Sequence, residues 1–407
     1  MDNQNQKTIR TASGRREGIL IALGSSLTIM GSVMVAPMLP KMGMEFGPTH
    51  PQADMLLPLA ITGPALAIAI CAPLAGWLSD RTGRKNMLII ATLLYAILGV
   101  LPAFLNGLDG VVISRLLFGC AEAAIMTCCT ALIADYWHAE ERLKFVNMQV
   151  VCIGLVGSAF FVIGGVLGEQ SWRLPFYLYL LPLLLIPFFM RVLWEPKHHE
   201  VQQITDTTSR VATLPLIVGY SMIMFGMVLN FIVPIQAPSL LVSIGVVSTT
   251  KIGLAAGLSL LATLAGSLLW PVFRSSFGIA GCNALLMALI AVGLWFLAHA
   301  NTYNKVMIAV TIHGIGAGMM VPNIMATIMN ALPASVRGRG IGGFTSCLYL
   351  GQFISPIIVG IVISFGVDLP GAIVSLAMAS AVVAAIWLIF SLVRRNSGAD
   401  LAAKRAA

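Results

Sequence analysis

The sequence contains few charged side chains. Only 10% of its 407 residues are Asp, Glu, Lys or Arg, whereas 58% are hydrophobic and the mean hydropathy is +0.91. A soluble globule of this length needs far more charge to cover its surface. The composition therefore excludes a soluble protein and predicts an integral membrane protein that contacts the lipid bilayer.

The usual patterns for cofactor and nucleic-acid chemistry are also missing. The seven cysteines lie within apolar runs without metal-ligand spacing, so we interpret them as small core residues. The sequence has no phosphate-binding loop, zinc signature or nucleophile elbow. Its net charge of +8 comes from cations in short loops between apolar runs, so we expect no nucleic-acid partner. We therefore expect neither an enzyme nor a cofactor.

Long apolar runs account for most of the chain. A membrane-spanning helix needs about 20 mostly apolar residues. Because the runs are continuously apolar rather than alternating, they favour helices over a barrel. The sequence predicts twelve spans, at roughly 18–40, 55–78, 87–106, 110–134, 145–168, 174–194, 214–240, 251–274, 279–299, 304–330, 340–365 and 369–393. The predicted fold class is an all-α integral membrane protein.

The basic residues predict the orientation of these spans. With both termini in the cytoplasm, the inner loops and tails hold 19 Lys and Arg residues, and the outer loops hold four. Basic loops stay on the cytoplasmic side during insertion. Together with the short loops, this distribution predicts a multi-pass protein of a bacterial inner membrane, which we expect to be a monomer.

A polar stretch at 195–213 is the longest interruption between spans and divides six spans from six. His198 and His199 within it could bind a metal, but a solvated linker is the preferred interpretation. Two six-span halves are typical of carriers that bind their substrate between the halves, near the bilayer midplane. We predict a tail (1–17), a first bundle (18–194), the linker (195–213), a second bundle (214–393) and a second tail (394–407).

A dense charge cluster separates the second and third spans. It reads Gly-x-Leu-x-Asp-Arg-x-Gly-Arg-Lys from Gly76 to Lys85. In this position the pattern resembles the loop signature of the major facilitator superfamily. The resemblance implies twelve helices in two pseudo-symmetric six-helix bundles, and a secondary transporter that takes a small-molecule substrate and no cofactor.

The resemblance also implies that this loop is a conformational latch. Asp80 would face the N-terminus of span eleven, and Arg81 or Arg84 would pair with Asp135 at the inner end of span four. The matching loop of the second half, Arg274 to Gly278, has lost its acid and most of its cations. The predicted latch residues are Gly76, Asp80, Arg81, Gly83, Arg84, Lys85 and Asp135.

Span one indicates a branch of the superfamily. Gly31, Pro37 and Pro40 have a spacing that resembles the twelve-helix drug:proton antiporters, although kinking prolines alone would also explain it. Span five keeps Gly164-Gly165 of the companion pattern, but Phe160-Phe161 occupies the positions of its Gly-Pro pair.

Glu122 is the one carboxylate deep within a predicted span. An ionised group at that depth costs about 2–3 kcal/mol or more, which makes it a functional candidate. Arg115 lies seven residues earlier, about two helical turns, and so projects from nearly the same face. We predict that the two residues couple transport to protons or bind substrate; the alternative is a structural pair.

The resemblance implies that spans one, four, seven and ten line the substrate cavity. For each polar or polarisable residue on these spans, the alternative interpretation is ordinary helix packing. For His313, the alternative is a hydrogen-bonded histidine of the protein core. The cavity candidates beside Glu122 are Met30, Met34, Met126, Asn230, Gln236, His313 and Asn323.

These features predict an alternating-access transporter that exports a small amphiphilic compound, such as a drug, toxin or siderophore, in exchange for protons. The alternative is proton-coupled uptake of a small organic anion or other nutrient, with Arg115 receiving the substrate carboxylate.

Overall fold

The structure is a computed structural model that describes residues 15–137, 139–196, 212–333 and 336–406. The regular elements in these ranges are helices. The α-helices are α1 (Arg15–Val33), α2 (Leu39–Phe46), α3 (Ala53–Thr82), α4 (Arg84–Val100), α5 (Leu108–Tyr136), α6 (Ala139–Gly168), α7 (Ile186–Val192), α8 (Thr213–Ser243), α9 (Thr249–Ala298), α10 (Tyr303–Ala331), α11 (Arg337–Ser364) and α12 (Leu369–Ala406). Three 3₁₀ segments lie at Ala36–Met38, Leu101–Phe104 and Leu174–Leu185. His198 and His199 lie outside the described residues.

The helices agree with the predicted membrane fold. Among the described residues, eleven helical stretches are long and apolar enough to cross a bilayer. One of them, α9, has 50 residues, about twice the length needed for one crossing. Gly278 breaks α9 with a φ of 67°, at the predicted loop between spans eight and nine. Since α9 holds both of these spans, the twelve-helix prediction is confirmed.

Span six differs from the prediction of one continuous α-helix. It consists of the 3₁₀ segment Leu174–Leu185 followed by the short helix α7. Pro175, Pro182 and Pro187 recur through it, and each lacks the amide hydrogen that an α-helical turn requires. The prolines therefore favour the tighter winding over an uninterrupted α-helix.

The charged loop between spans two and three is also different from the prediction. Helix α3 continues through Gly76 to Thr82, and α4 begins at Arg84, so only Gly83 separates the two helices. Gly83 has a φ of 92°, a conformation that side-chain-bearing residues rarely adopt. Hydropathy marks the part of a helix inside the hydrocarbon, whereas helical hydrogen bonding continues beyond the bilayer surface. Similarly, α12 continues into the predicted tail 394–407.

Helices α1–α7, here called the first bundle, meet α8–α12, the second bundle, along α6 and α9. The two helices approach closely where a Cβ at Gly253 would be 2.4 Å from the Phe161 carbonyl oxygen. A Cβ at Gly165 would be 2.5 Å from the carbonyl oxygen of Thr249. Farther along α6, Ser158 Oγ donates to the Gly257 carbonyl at 2.8 Å. Glycines of both helices thus bring the two backbones into contact.

We predict that Gly253→Ala destabilises the protein, because its new methyl group would overlap the Phe161 carbonyl and force α6 and α9 apart. Overpacking of this kind costs about 1–3 kcal/mol. Thermal unfolding in detergent should show a lower melting temperature. Gly360→Ala on α11 is the matched control, since a Cβ there meets nothing within 4 Å. Equal melting temperatures for the two variants would contradict the close contact.

Candidate functional site between α1 and α5

Arg115 lies in the middle of the first bundle and is fully buried. Its Nε donates to the Ala60 carbonyl on α3 at 3.1 Å, and its Nη2 donates to the Gly31 carbonyl on α1. Its Nη1 lies 3.4 Å from the Tyr179 hydroxyl in span six. The guanidinium carbon is 4.4 Å from the centre of the Phe118 ring, within cation–π range. Arg115 therefore joins α5 to α1, α3 and span six.

Tyrosine hydroxyls complete this network around α1. Tyr179 Oη lies 2.9 Å from the Met30 carbonyl, and Tyr95 Oη donates to the Leu27 carbonyl at 2.6 Å. The two tyrosine rings pack edge to face, with their centres 5.7 Å apart. The last two turns of α1 are thus held by hydrogen bonds to their carbonyl groups from three other spans.

Glu122 lies two turns further along α5 and has none of these donors. It is 1% exposed, and its Oε2 has no hydrogen-bond partner among the described residues. The carboxyl group packs directly on Gly31, where a Cβ would lie 2.8 Å from Oε2 and 2.9 Å from Oε1. In the described part of the chain, no ion pair within 4.0 Å joins Glu122 to Arg115. Both residues reach Gly31, but Arg115 is hydrogen-bonded to other groups, whereas Glu122 Oε2 has no partner among the described residues.

The cavity candidates of the first bundle are mostly packed in its interior. Met30 and Met34 are each 1% exposed. Met126, one turn after Glu122, accepts a hydrogen bond on its sulfur from the Tyr349 hydroxyl at 3.0 Å. Because Tyr349 belongs to α11, this contact crosses from the second bundle to the first. It places Met126 at the boundary between the bundles, close to Glu122 in sequence.

The candidates of the second bundle have different surroundings. Asn323 is fully buried and donates from Nδ2 to Asn283 Oδ1 at 2.8 Å, while its Oδ1 accepts from Trp270 Nε1 at 3.1 Å. It therefore joins α10 to both halves of α9. His313 is 1% exposed and packs on Gly293. Its ring faces the Leu229 backbone, but neither ring nitrogen makes a hydrogen bond within the described residues.

A cavity of about 90 Å³ lies between the bundles. Both bundles contribute to its mainly apolar wall. Of the predicted cavity residues, Asn230 on α8 lines it. Gln236, also on α8, is partly buried and is not among the lining residues. The lining residues are Ile29, Phe161, Asn230, Phe231, Val233, Pro234, Ala256, Ser259, Leu260 and Thr263. Ser259 and Thr263 are polar residues that the sequence analysis missed, because span eight was not among the expected cavity spans.

Comparison with known proteins identifies the family. Residues 21–237 and 216–406 match the family model described as Major Facilitator Superfamily. The chain belongs to this superfamily. It is accordingly a multi-pass membrane transporter.

Several individual members are similar to this superfamily transporter. The quinolone resistance protein NorA of Staphylococcus aureus (strain COL) is 26% identical over 365 residues, covering 84% of this chain and 89% of NorA. The class B tetracycline resistance protein of Escherichia coli is 31% identical over 190 residues, 46% of each chain.

Solved structures share its fold. The partially occluded inward-open xylose transporter XylE from E. coli has a TM-score of 0.75 at 16% identity, covering 92% of this chain and 96% of XylE. A point mutant of the nucleoside transporter NupG has a TM-score of 0.67 at 15% identity, covering 91% of this chain and 99% of NupG.

The superfamily signature at the α3–α4 junction is held by ion pairs. Arg84 donates from Nη1 to the Asp135 carboxylate and from Nη2 to Asp80 Oδ1 at 3.1 Å. Of the two arginines predicted as partners of Asp135, the structure thus selects Arg84. The Arg81 guanidinium lies instead over the Trp77 ring, 4.1 Å from its centre. Gly76 faces the Thr127 methyl group at ordinary contact distance.

Glu195 is a residue of this junction that the sequence analysis assigned only to the polar linker. Its two carboxylate oxygens accept the backbone amides of Arg84 at 2.6 Å and Lys85 at 3.0 Å. The carboxyl group thereby caps the N-terminus of α4, and a Cβ at Gly83 would lie 2.9 Å from it. Lys85 Nζ donates to the Met190 carbonyl at 2.8 Å, on the same side. An acid directly after span six was the available signal, but only the fold shows which helix end it meets.

We predict that Glu195→Gln loosens the first turn of α4, because the charge that interacts with the unpaired amides is lost. A helix cap of this kind contributes about 1 kcal/mol, so amide exchange in the peptide after Gly83 should accelerate roughly fivefold. Hydrogen–deuterium exchange with mass spectrometry measures this exchange rate. Glu141→Gln, an exposed acid on α6, is the control. Unchanged exchange in Glu195→Gln would show that the cap is not stabilising.

Proposed function

We propose that this transporter exports a small amphiphilic compound across a bacterial inner membrane in exchange for protons. The names of the quinolone and tetracycline resistance proteins support a toxic substrate, and the Gly31, Pro37 and Pro40 spacing supports the antiporter branch. In this proposal both termini are cytoplasmic, and the bundles at 18–194 and 214–393 rock about the central site while the 195–213 linker joins them. The substrate enters the apolar cavity near Asn230, Ser259 and Thr263.

Glu122 carries the proton in this mechanism. The observation that supports this role is a buried carboxyl group whose Oε2 has no donor within the described structure. Burying an ionised carboxylate without a partner is costly, so this closed environment favours the neutral acid. When the site opens to water, the carboxylate can be solvated and the proton released. Alternating access thus converts a proton moving inward into a substrate moving outward.

The environment of Arg115 favours export over uptake of an organic anion. All three guanidinium nitrogens donate to groups of the first bundle, and the side chain is fully buried. A substrate carboxylate would have to displace backbone carbonyl groups of α1 and α3 to reach it. We therefore assign Arg115 a structural role: it holds the Gly31 backbone in position against Glu122.

We predict that Glu122→Gln abolishes pH-gradient-driven transport, because the amide keeps the shape of the side chain but cannot release a proton. The measurement is uptake of a fluorescent amphiphilic cation into everted vesicles with an acidic interior, where wild-type protein should concentrate the dye. Flux should fall at least tenfold without a change in the melting curve.

Ser114→Ala on the same buried part of α5 is the matched control, since its hydroxyl donates only to the Val111 carbonyl. It should retain wild-type flux. Wild-type gradient-driven flux in Glu122→Gln would exclude Glu122 as the proton carrier.

We also propose that Asp80 contributes to an inner latch with α11. Ser346 Oγ on α11 donates to the Ala69 carbonyl on α3 at 3.2 Å, so the two helices are neighbours. Asp80 lies 11 residues beyond Ala69, about 16 Å along α3, and α11 begins nine residues before Ser346, about 14 Å away. With the helices antiparallel, as the predicted orientation requires, these lengths bring Asp80 to the level of the α11 N-terminus.

Asp80→Asn should weaken the attraction to this helix end and increase the inward-open population. Spin-label distances between the inner ends of α3 and α11 would show the change as a longer component. Asp54→Asn, an exposed acid at the outer end of α3, should leave these distances unchanged. The latch proposal is wrong if both variants give the wild-type distribution.

A further inference from the structure

A second contact between a carboxylate and a helix end occurs at the outer side of the bundle interface. Glu169 directly follows α6, and its Oε1 accepts hydrogen bonds from the Ser248 hydroxyl and, at 2.9 Å, from the Thr250 backbone amide. Ser248 is the N-cap residue of α9, and Thr250 lies in its first turn. A carboxylate of the first bundle thus caps a helix of the second.

The physics of helix ends makes this contact favourable. The first amides of a helix have no acceptor within it and carry a partial positive charge. An ionised carboxylate is the strongest acceptor available to them. The residue between the two donors strengthens the same junction, because Thr249 Oγ1 donates to the Gly165 carbonyl at 2.7 Å. Three consecutive residues of the α9 terminus therefore bond to the last turn of α6 and the residue after it.

The other charged contacts recorded at this rim each stay within one bundle, as in Lys305 Nζ to Asn301 Oδ1 of the second bundle at 2.8 Å. Lys41 Nζ donates to the Glu169 backbone carbonyl at 2.8 Å and so fixes the position of this residue. Arg173 donates to both oxygens of Glu45, at 2.8 and 3.0 Å, and Trp172 Nε1 donates to Glu45 Oε2 at 2.6 Å. Among the described residues of the rim, Glu169 is thus the charged side chain that bonds from one bundle to the other.

We propose that Glu169 is the outer latch of the transport cycle: its carboxylate holds the start of α9 when the outer side is closed and releases it for the outer side to open. This inference rests on the alternating access assigned under the proposed function. It adds a gate residue that lies far from the signature at Gly76–Lys85 and on the opposite side of the membrane.

The charge state of Glu169 agrees with this role. The Ser248 hydroxyl and the Thr250 amide hold the pKa of its carboxyl group below the ordinary value, and the Lys41 ammonium group acts in the same direction. Because the pKa is lowered, the ionised carboxylate stabilises the closed arrangement fully at pH values above the ordinary pKa of a glutamate. This stabilisation is lost as the pH falls from that value through the lowered pKa. Near neutral pH, the latch is therefore charged and intact.

The test is the distance between spin labels on the outer loops. Gly107→Cys in the first bundle and Val367→Cys in the second are suitable sites in a background with the seven native cysteines replaced, because both positions are exposed. Glu169→Gln should raise the ratio of outward-open to closed protein about tenfold, or about 1.4 kcal/mol, because a neutral amide oxygen is a weaker acceptor for the Ser248 hydroxyl and the Thr250 amide than a carboxylate.

Glu45→Gln is the matched control, since it removes a charge from the same rim without touching the second bundle, and its distances should equal those of the wild type. Ser248→Ala should open the outer side less than Glu169→Gln, and the double variant should show no more opening than Glu169→Gln alone. Wild-type distances in Glu169→Gln, or opening equal to that in Glu45→Gln, would overturn the latch.

Transport of the fluorescent cation by the same proteins separates this proposal from the function on which it rests. A shifted distance distribution in a protein that moves no dye supports the latch and argues against the proposed export. Gradient-driven export in a protein whose Glu169→Gln variant shows no shift supports the function and excludes the latch.

Discussion

The hydrocarbon interior of the bilayer offers no hydrogen-bond partners, so a polar group within it must be bonded inside the protein. The first bundle depends on this constraint most directly at Arg115. Its three nitrogens find acceptors on α1, α3 and span six, and this network fixes the position of the Gly31 backbone. Arg115 is a structural centre here, since the fixed fork of its guanidinium group presents several donors to three different elements.

The same constraint gives Glu122 its different character. Gly31 is bonded through its carbonyl oxygen to Arg115, and its Cα side is left as the surface on which the Glu122 carboxyl group rests. Helical spacing placed both ionisable groups on one face of α5, but neighbouring elements decide which of them is satisfied. A cation surrounded by carbonyl groups is stable as an ion, whereas burial of a carboxylate oxygen without a donor disfavours the ionised acid. The proposed function accordingly assigns proton binding to Glu122.

Sequence could predict what depends on bilayer thickness and on local pattern. The spans and their number belong to this class, because apolar length is a property of the linear chain. The resemblance of the signature loop limited the partner of Asp135 to Arg81 or Arg84, and the fold selects Arg84. The cap formed by Glu195 and the network of Asn323 were not predictable in this way, since their partners lie on other helices. The 3₁₀ winding of span six was signalled by its prolines, yet its apolar character was equally consistent with an α-helix.

The junction between α6 and the start of α9 combines two kinds of contact with different consequences. Gly165 and Gly253 allow the backbones of α6 and α9 to touch. Glu169 adds hydrogen bonds to the Ser248 hydroxyl and the Thr250 amide, and in the proposed outer latch its charge changes the ratio of closed to open protein about tenfold, or about 1.4 kcal/mol. Reversing a two-state equilibrium from 1:99 to 99:1 needs about 5.5 kcal/mol. In the proposed transport cycle, the charge of Glu169 therefore biases the transporter towards the closed state but does not switch it alone, and we expect proton and substrate binding to supply the difference.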